Sequence, residues 1–345
     1  MVIDLRSELV SRPTPKMVEA MMEAAKSKCS FGLREDPTQK HLEELAAQIL
    51  GKEDSLFFPT CTMCNQTAIH AFCSPGESII AESESHIITS EAGALAALSG
   101  VMLKPIRGEI GFMDIEEMEE AINPGDESRS KTSLVVLENT HNRSGGAVLS
   151  PAQIGQIFDV AKRHGIPIHL DGARIFNAAI SLNVPVSSLT MYSDSVSVSL
   201  NKGLSAPMGA ILAGKKPFIQ EALRVRQMFG GGWRPTNILA AAGIVALETM
   251  IDRLADDHKN ARKLAEGIAG CKGISIDLQR VQTNLVTVKI NHPKYHLYEF
   301  IEKLKEQDVW VIPFGFDSIR MALYWEIGEE EVEATVQAFC KIANR

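Results

Sequence analysis

The chain has 345 residues and a formal net charge of −8, with 45% of its residues in the AVILMFWYC group and 23% charged. This is ordinary globular composition, long enough for a large domain and a smaller one, and an acidic chain without a Lys/Arg block argues against a nucleic-acid footprint. "MVIDLRSELV" has no apolar signal core and no apolar run is long enough to span a bilayer, so a soluble cytoplasmic protein is expected.

In "REDPTQKHLEELAAQILGK", Asp36 predicts an N-cap, Pro37 the first helical position and Gln39 the partner of a capping box. Leu42, Leu45, Ala46 and Ile49 then recur at helical spacing up to Gly51. From residue 55 to about 215, the apolar runs "SLFF", "SIIA", "VMLKPI", "TSLVVLEN", "IPIHLD", "VSVSL" and "AILAG" alternate with helical patterns, among them "SEAGALAAL". Runs that are apolar on both faces and separated by helices predict an α/β domain with a mainly parallel sheet covered on both sides.

A helical pattern from about Pro235 to Gly267 leads into a smaller α+β lobe. Its strands are expected at "GISIDL", "NLVTVKI", "VWVIPF" and "SIRMALYW", and its helices at "YHLYEFIEKLKEQ" and "EEEVEATVQAFCKIA". The boundary is expected near residue 245, giving domains 1–245 and 246–345.

No G-x-G-x-x-G follows the first strand, and G-x-x-x-x-G-K-[ST], HExxH and G-x-S-x-G are absent. Six cysteines do not predict a disulfide framework in a chain this long, and Cys61-x-x-Cys64 lacks a second pair, so no metal site is expected. In an open α/β sheet, ligands gather at the C-terminal ends of strands. There "IPIHLD" ends on Asp171, "VSVSLN" runs into Lys202, and "SLFFPT" opens a helix at Cys61. Taken singly, Lys202 reads as a solvent-facing lysine and Asp171 as a locally paired carboxylate. Together with a helix N-terminus able to hold phosphate, they describe a pyridoxal phosphate site.

In this order, "IDLRSELVSRPTPKMVEAM", "EDPT", "LFFPTCTMCNQ", "ESHI", "LENTHNRSGG", "IHLDGARIFNAA", "SVSVSLNKGLSAPMGAILAG" and "GGGWRP" resemble the signature of the L-threonine aldolases. These are fold type I, aspartate-aminotransferase-like pyridoxal phosphate enzymes. The resemblance covers nearly the whole chain. It implies cleavage of a β-hydroxy-α-amino acid of the L-threonine or L-allo-threonine type to glycine and an aldehyde. The alternative is β-elimination from a serine- or cysteine-like amino acid.

By the same resemblance Lys202 is the Schiff-base lysine, Asp171 the partner of the pyridine nitrogen, and His86 the imidazole on the ring face. Thr60 to Asn65, with Cys61 and Thr62, form the phosphate cup. Arg174, also placed on the cofactor side, joins Arg320 and Ser7 in holding the substrate carboxylate, and His141 lies near the β-hydroxyl. Arg234 reaches a neighbouring subunit's phosphate site within a homotetramer of dimers with shared active sites.

Several positions depart from the family pattern. Cys61 and Cys64 stand in the cup and are expected to narrow it, with the Cys61 thiol lowered in pKa by the helix N-terminus. Leu33 and Arg34 in the longer "SFGLREDPT", and Leu323 with Tyr324, are expected at the entrance, where Arg34 would suit an acidic substituent. Gln227 replaces an expected basic residue.

Overall fold

Seven of the apolar runs form one sheet in the computed structural model, which describes residues 2–344. The strands are β1 (Asp54–Phe58), β2 (Ser78–Glu82), β3 (Met102–Ile106), β4 (Thr132–Glu138), β5 (Ile168–Asp171), β6 (Ser195–Ser199) and β7 (Ala210–Gly214). Their spatial order is β1-β7-β6-β5-β4-β2-β3. The inner strands are buried along their whole length, which is why they read as apolar runs rather than alternations. Lys104 and Pro105 fall in β3, an edge strand where a residue without an N–H is tolerated.

Strand β7 alone runs antiparallel to both neighbours. Residues 200–209, which join β6 to β7, are too few for the crossover that parallel strands require, so the chain turns back on itself. That turn contains Lys202.

Helices α1 (Pro15–Ala24), α2 (Pro37–Leu50), α3 (Cys61–Phe72), α4 (Pro151–Arg163), α5 (Ile175–Leu182) and α6 (Lys216–Met228) belong to the same lobe. Asp36 caps α2 by accepting from the backbone N–H groups of Thr38 and Gln39 at 3.0 and 3.2 Å, and Gly51 ends the helix at φ 64°. The expected capping box does not form. Gln39 is buried and turns inward, donating to Glu43 at 2.8 Å and to the Leu33 carbonyl at 3.1 Å. "SEAGALAAL" is broken as well: a turn with Ala92 and Gly93 at positive φ separates the short helices His86–Thr89 and Ala94–Ser99.

The pattern from Pro235 to Gly267 forms two helices, α7 (Asn237–Thr249) and α8 (Leu254–Ala269). Helix α7 packs on α1 and α2, whereas α8 packs on α5 and on the second lobe, so the chain bends between them. Leu254 lies in the first core, and Ala261, Leu264, Ala265 and Ile268 lie in the second.

The second lobe holds an antiparallel sheet of β8 (Ile274–Ser275), β9 (Leu285–Ile290), β10 (Ile312–Phe314) and β11 (Ser318–Ala322), in the order β8-β9-β11-β10. Helices α9 (Leu297–Lys305) and α10 (Glu329–Ala343) complete it. Contrary to the expectation from cysteine number, Cys271 and Cys340 form a disulfide across 69 residues, because α8 and α10 pack side by side.

The N-terminal segment ties the lobes together. Ile3–Asp4 pairs in parallel with Val309–Trp310, Leu5 is buried in the second core, and the carbonyl of Leu5 accepts from Ala322 at 2.9 Å. Ser7 and Glu8 are thereby carried to the seam above the strand ends.

Candidate active site

Strands β4, β5 and β6 end on Glu138, Asp171 and Ser199, which line a cleft of about 290 Å³. The N-terminus of α3 and the segment around Ser7 close its other sides. Asp171 sits at the bottom, 3% exposed, beside Ser197 of β6 and Glu138 of β4. Its Oδ2 accepts from Asn65 Nδ2 at 2.7 Å and its Oδ1 from the backbone N–H of Ala173 at 3.1 Å. The amide oxygen of Asn65 in turn accepts from Ser197 Oγ at 2.6 Å and faces His169 Nε2 at 3.1 Å. Burial pushes His169 down to about 4, so it is neutral at physiological pH. Asp171 is thus aimed by a buried network anchored on two adjacent strands and one helix.

His86 approaches from the next loop. Its Nδ1 is 3.0 Å from Glu91 Oε1, and that hydrogen bond raises the imidazole pKa against the opposing effect of burial. Ligand atoms of His86, Glu91 and Asp171 lie within 4.8 Å of one another, a spacing a metal ion could use. The carboxylates already have donors, however: Asn65 Nδ2 binds both, and Gln66 Nε2 reaches Glu91 at 2.6 Å. The cluster reads as a hydrogen-bonded network. Glu91 carries no motif signal in the sequence, and only its meeting with Asn65 and His86 reveals it.

Lys202 leaves the β6–β7 turn half-buried, in the same cleft as Asp171. Leu200 bonds to Gly209 and Ala206 across the turn, and the Lys202 carbonyl accepts from Ser205 at 2.8 Å. A Cβ on Gly209, at φ 127°, would come within 2.5 Å of Phe57, so this backbone needs glycine. Burial first, and then the Arg174 guanidinium, disfavour the ammonium and hold the Lys202 pKa below that of a free lysine.

Thr60 caps α3, its hydroxyl accepting from Met63 at 3.2 Å. The backbone N–H groups of Cys61 and Thr62 have no partner within the helix, and both residues line the cleft. The expected low thiol pKa at Cys61 is not found: burial, reinforced by Asp171, pushes it up to about 12. Cys64 does not narrow the cup, because it points into the core with Leu56 and Phe58.

At the opposite end Arg174 and Arg320 meet Asn142. The Asn142 amide oxygen accepts from Arg320 Nη1 at 2.9 Å and from Arg174 Nη1 at 3.3 Å. Arg174 is already engaged by a residue the sequence reading passed over. Glu8, wholly buried, takes Arg174 Nε at 2.6 Å and Nη2 at 2.8 Å, and Asn284 donates to it at 3.0 Å. The guanidinium overcomes burial and holds the Glu8 carboxyl well below the usual range. Arg320 keeps a freer fork: its Nε has no partner among the described residues, its plane lies 5.5 Å from the Phe314 ring centroid, and burial lowers its pKa to about 10.

Glu8→Ala would leave Arg174 buried and unpaired, so a loss of about 3–5 kcal/mol is expected in urea unfolding at neutral pH. Because the folded-state pKa is depressed, this contribution is present above about pH 4.3, the unfolded value, and fades as the pH falls. A difference between the two proteins that persists undiminished at low pH would contradict the assignment.

Other expected site residues lie elsewhere. His141 is wholly buried behind the cleft, with Nε2 at 2.9 Å from Glu82, so in this chain it does not reach the place of a substrate hydroxyl. Arg34 binds Glu43 and Asp54 at 2.8 Å each and is consumed in a structural network rather than offered at an entrance. Leu33 does not line the cleft, and Leu323 and Tyr324 are buried in the second core. Arg234 is exposed, outside the cleft of its own chain, donating to the Phe31 carbonyl at 3.2 Å.

A doubly wound sheet with a lysine after one strand, an acid ending its neighbour and a helix N-terminus opposite defines a fold type I pyridoxal phosphate enzyme. The comparisons agree. A family model described as beta-eliminating lyase matches residues 4–291. Low-specificity L-threonine aldolase 1 of Arabidopsis thaliana is 39% identical over 342 residues, 98% of this chain and 95% of its own. The low specificity L-threonine aldolase of Escherichia coli (strain K12) is 38% identical over 290 residues, 84% of this chain and 85% of its own. Among solved structures, Leishmania major threonine aldolase superposes with a TM-score of 0.86 at 20% identity, covering 99% of both chains. The chain belongs to the β-eliminating lyase family.

Proposed function

We propose that this protein is a pyridoxal phosphate-dependent aldolase that cleaves β-hydroxy-α-amino acids of the L-threonine type to glycine and an aldehyde. The observation that carries the reading is the convergence of Lys202, Asp171 and the α3 N-terminus on one cleft whose far end holds Arg320. The donor set fits the cofactor: free N–H groups for a phosphate, a fixed carboxylate for a ring nitrogen and an amine shifted toward its neutral form. Bound pyridoxal phosphate supplies an electron sink for the charge left at Cα when a bond to that carbon breaks.

The chain's own groups divide the remaining work. Cys61 and Thr62 hold the phosphate through backbone N–H groups, and the Asp171 carboxylate keeps a proton on the ring nitrogen. Lys202 Nζ is the attachment point. Arg320, assisted by Ser7 and by Arg174 in its Glu8-braced position, receives the substrate carboxylate through paired donors. This orients the amino acid and thereby selects which Cα bond is labile. With His141 behind the wall, His86 is the imidazole available at the cleft. Its Nδ1–H points to Glu91, which leaves Nε2 to accept the β-hydroxyl proton directly or through water.

A homotetramer of dimers belongs to the same reading. The exposed Arg234 beside Phe31, itself 89% exposed, would reach a partner's phosphate site. No helix among the described residues is long and apolar enough to cross a membrane. A cytoplasmic setting completes the reading.

The test is incubation of the cofactor-loaded protein with a panel of β-hydroxy amino acids and with serine, measuring glycine, aldehyde and keto acid. Glycine with a stoichiometric aldehyde is expected from threonine or allo-threonine. Keto acid from serine without glycine from any substrate would establish the β-eliminating alternative.

A further inference from the structure

The reading above leaves unused a group of titratable side chains at the back of the cleft. Glu138 ends β4 next to Asp171, lines the cleft and is 7% exposed. Its Oε2 accepts the backbone N–H of His86 at 2.6 Å, and its Oε1 accepts the backbone N–H of Asn142 at 2.8 Å. One carboxylate thus joins the loop after β2, which carries the cleft's histidine, to the loop after β4, which carries the asparagine meeting both guanidiniums.

Behind Glu138 lies His141. Its Nδ1 accepts from the backbone N–H of Ser144 at 3.2 Å, so the hydrogen of the neutral ring sits on Nε2. That atom is 2.9 Å from Glu82 Oε2 and 3.9 Å from Glu138 Oε2, close enough for charge attraction to both carboxylates, although its angle makes a hydrogen bond to neither. Glu82 is itself fixed by the backbone N–H of Glu84 at 2.7 Å and by Ser83 Oγ at 3.0 Å.

We propose that Glu138 is a positioning residue that registers His86 against Asn142, setting the spacing between the ring-facing imidazole and the carboxylate-binding arginines, with His141 and Glu82 bracing it from behind. Carboxylate is required because both oxygens must accept. An amide of the same shape offers one acceptor and one donor, and the donor end would face a backbone N–H, so one of the two loops must move. The inference rests on the aldolase reading, since the spacing matters only if cofactor and amino acid bind together.

The experiment compares Glu138→Gln with the unaltered chain in three measurements: dissociation of pyridoxal phosphate from the apo-protein by fluorescence, KM against kcat for the amino acid, and the thermal midpoint. About a tenfold rise in KM and in the cofactor dissociation constant is expected, the loss of one hydrogen bond to a charged group. A lowered midpoint with both constants within twofold of the unaltered chain would mean a structural role only and overturns the proposal. Should Glu138→Gln fail to fold, Glu138→Asp keeps both acceptors but falls short of spanning the two loops, and the same rises are expected and the same null result is fatal. The two readings fail separately. If the unaltered chain takes up no pyridoxal phosphate, the aldolase reading falls and this proposal with it, whereas equal behaviour of both proteins with cofactor bound removes this inference alone.

Discussion

Lys202→Ala is expected to lower turnover of the best β-hydroxy amino acid by roughly 10³-fold or more, the scale seen when a covalent participant is removed. Folding should survive, because the turn that carries Lys202 is built from the backbone bonds of Leu200, Ser205, Ala206 and Gly209 and from none of the lysine's own side-chain atoms. The ammonium is disfavoured by burial and by Arg174, so its removal relieves the site rather than stranding a partner. The altered protein should still bind pyridoxal phosphate reversibly through the α3 N-terminus and Asp171. Its visible spectrum should then be that of the unattached aldehyde. Steady-state kinetics and an absorbance titration check both halves, and retention of more than a tenth of the activity would refute the assignment of Lys202.

Asp171→Asn is the second large effect, a fall in kcat of about 10²–10³-fold, the scale for removing one preorganised electrostatic group. The substitution keeps the shape. With Asn65 held by Ser197 and His169, the introduced amide presents its oxygen to Asn65 Nδ2 and turns its NH2 toward the backbone N–H of Ala173, so a local donor–donor conflict adds to the loss. What disappears is the charge that would hold a proton on the ring nitrogen. A second readout follows, because Asp171 contributes to the raised pKa of His86. Without it the imidazole loses its proton at lower pH, so the acid limb of the kcat/KM profile should move down. An unchanged profile with near-full activity would remove Asp171 from the cofactor's environment.

The parts of the molecule legible in the sequence were those whose cause is local. The seven sheet strands follow from apolar runs, the cap of α2 from Asp36-Pro37, and the gathering of Asp171, Lys202 and Cys61 from the rule that ligands meet at strand ends. The reversal of β7 was also within reach, since the link after β6 is too short for a crossover.

Glu8 was not legible. Its partner Arg174 is 166 residues away, and an acid in a short N-terminal segment looks like any solvated charge until the segment is seen threading between the lobes. A weak signal existed in its place directly after Ser7, already a site candidate. The Cys271–Cys340 pair, which comes from helix packing within the second lobe, and the shared contact of Asn142 with two arginines, which comes from the lobes meeting, likewise leave no period in the chain. His141 shows the opposite error. Its motif position beside Asn142 points to the site, yet its ring is wholly buried, with Nε2 2.9 Å from Glu82.

Reduction of the cofactor-loaded protein with borohydride, followed by peptide mass spectrometry, tests the central claim most directly. The reduced pyridoxyl group is expected on the peptide containing Lys202 and on no other. Label on a different lysine, or protein that binds the cofactor yet carries no label after reduction, would contradict the account.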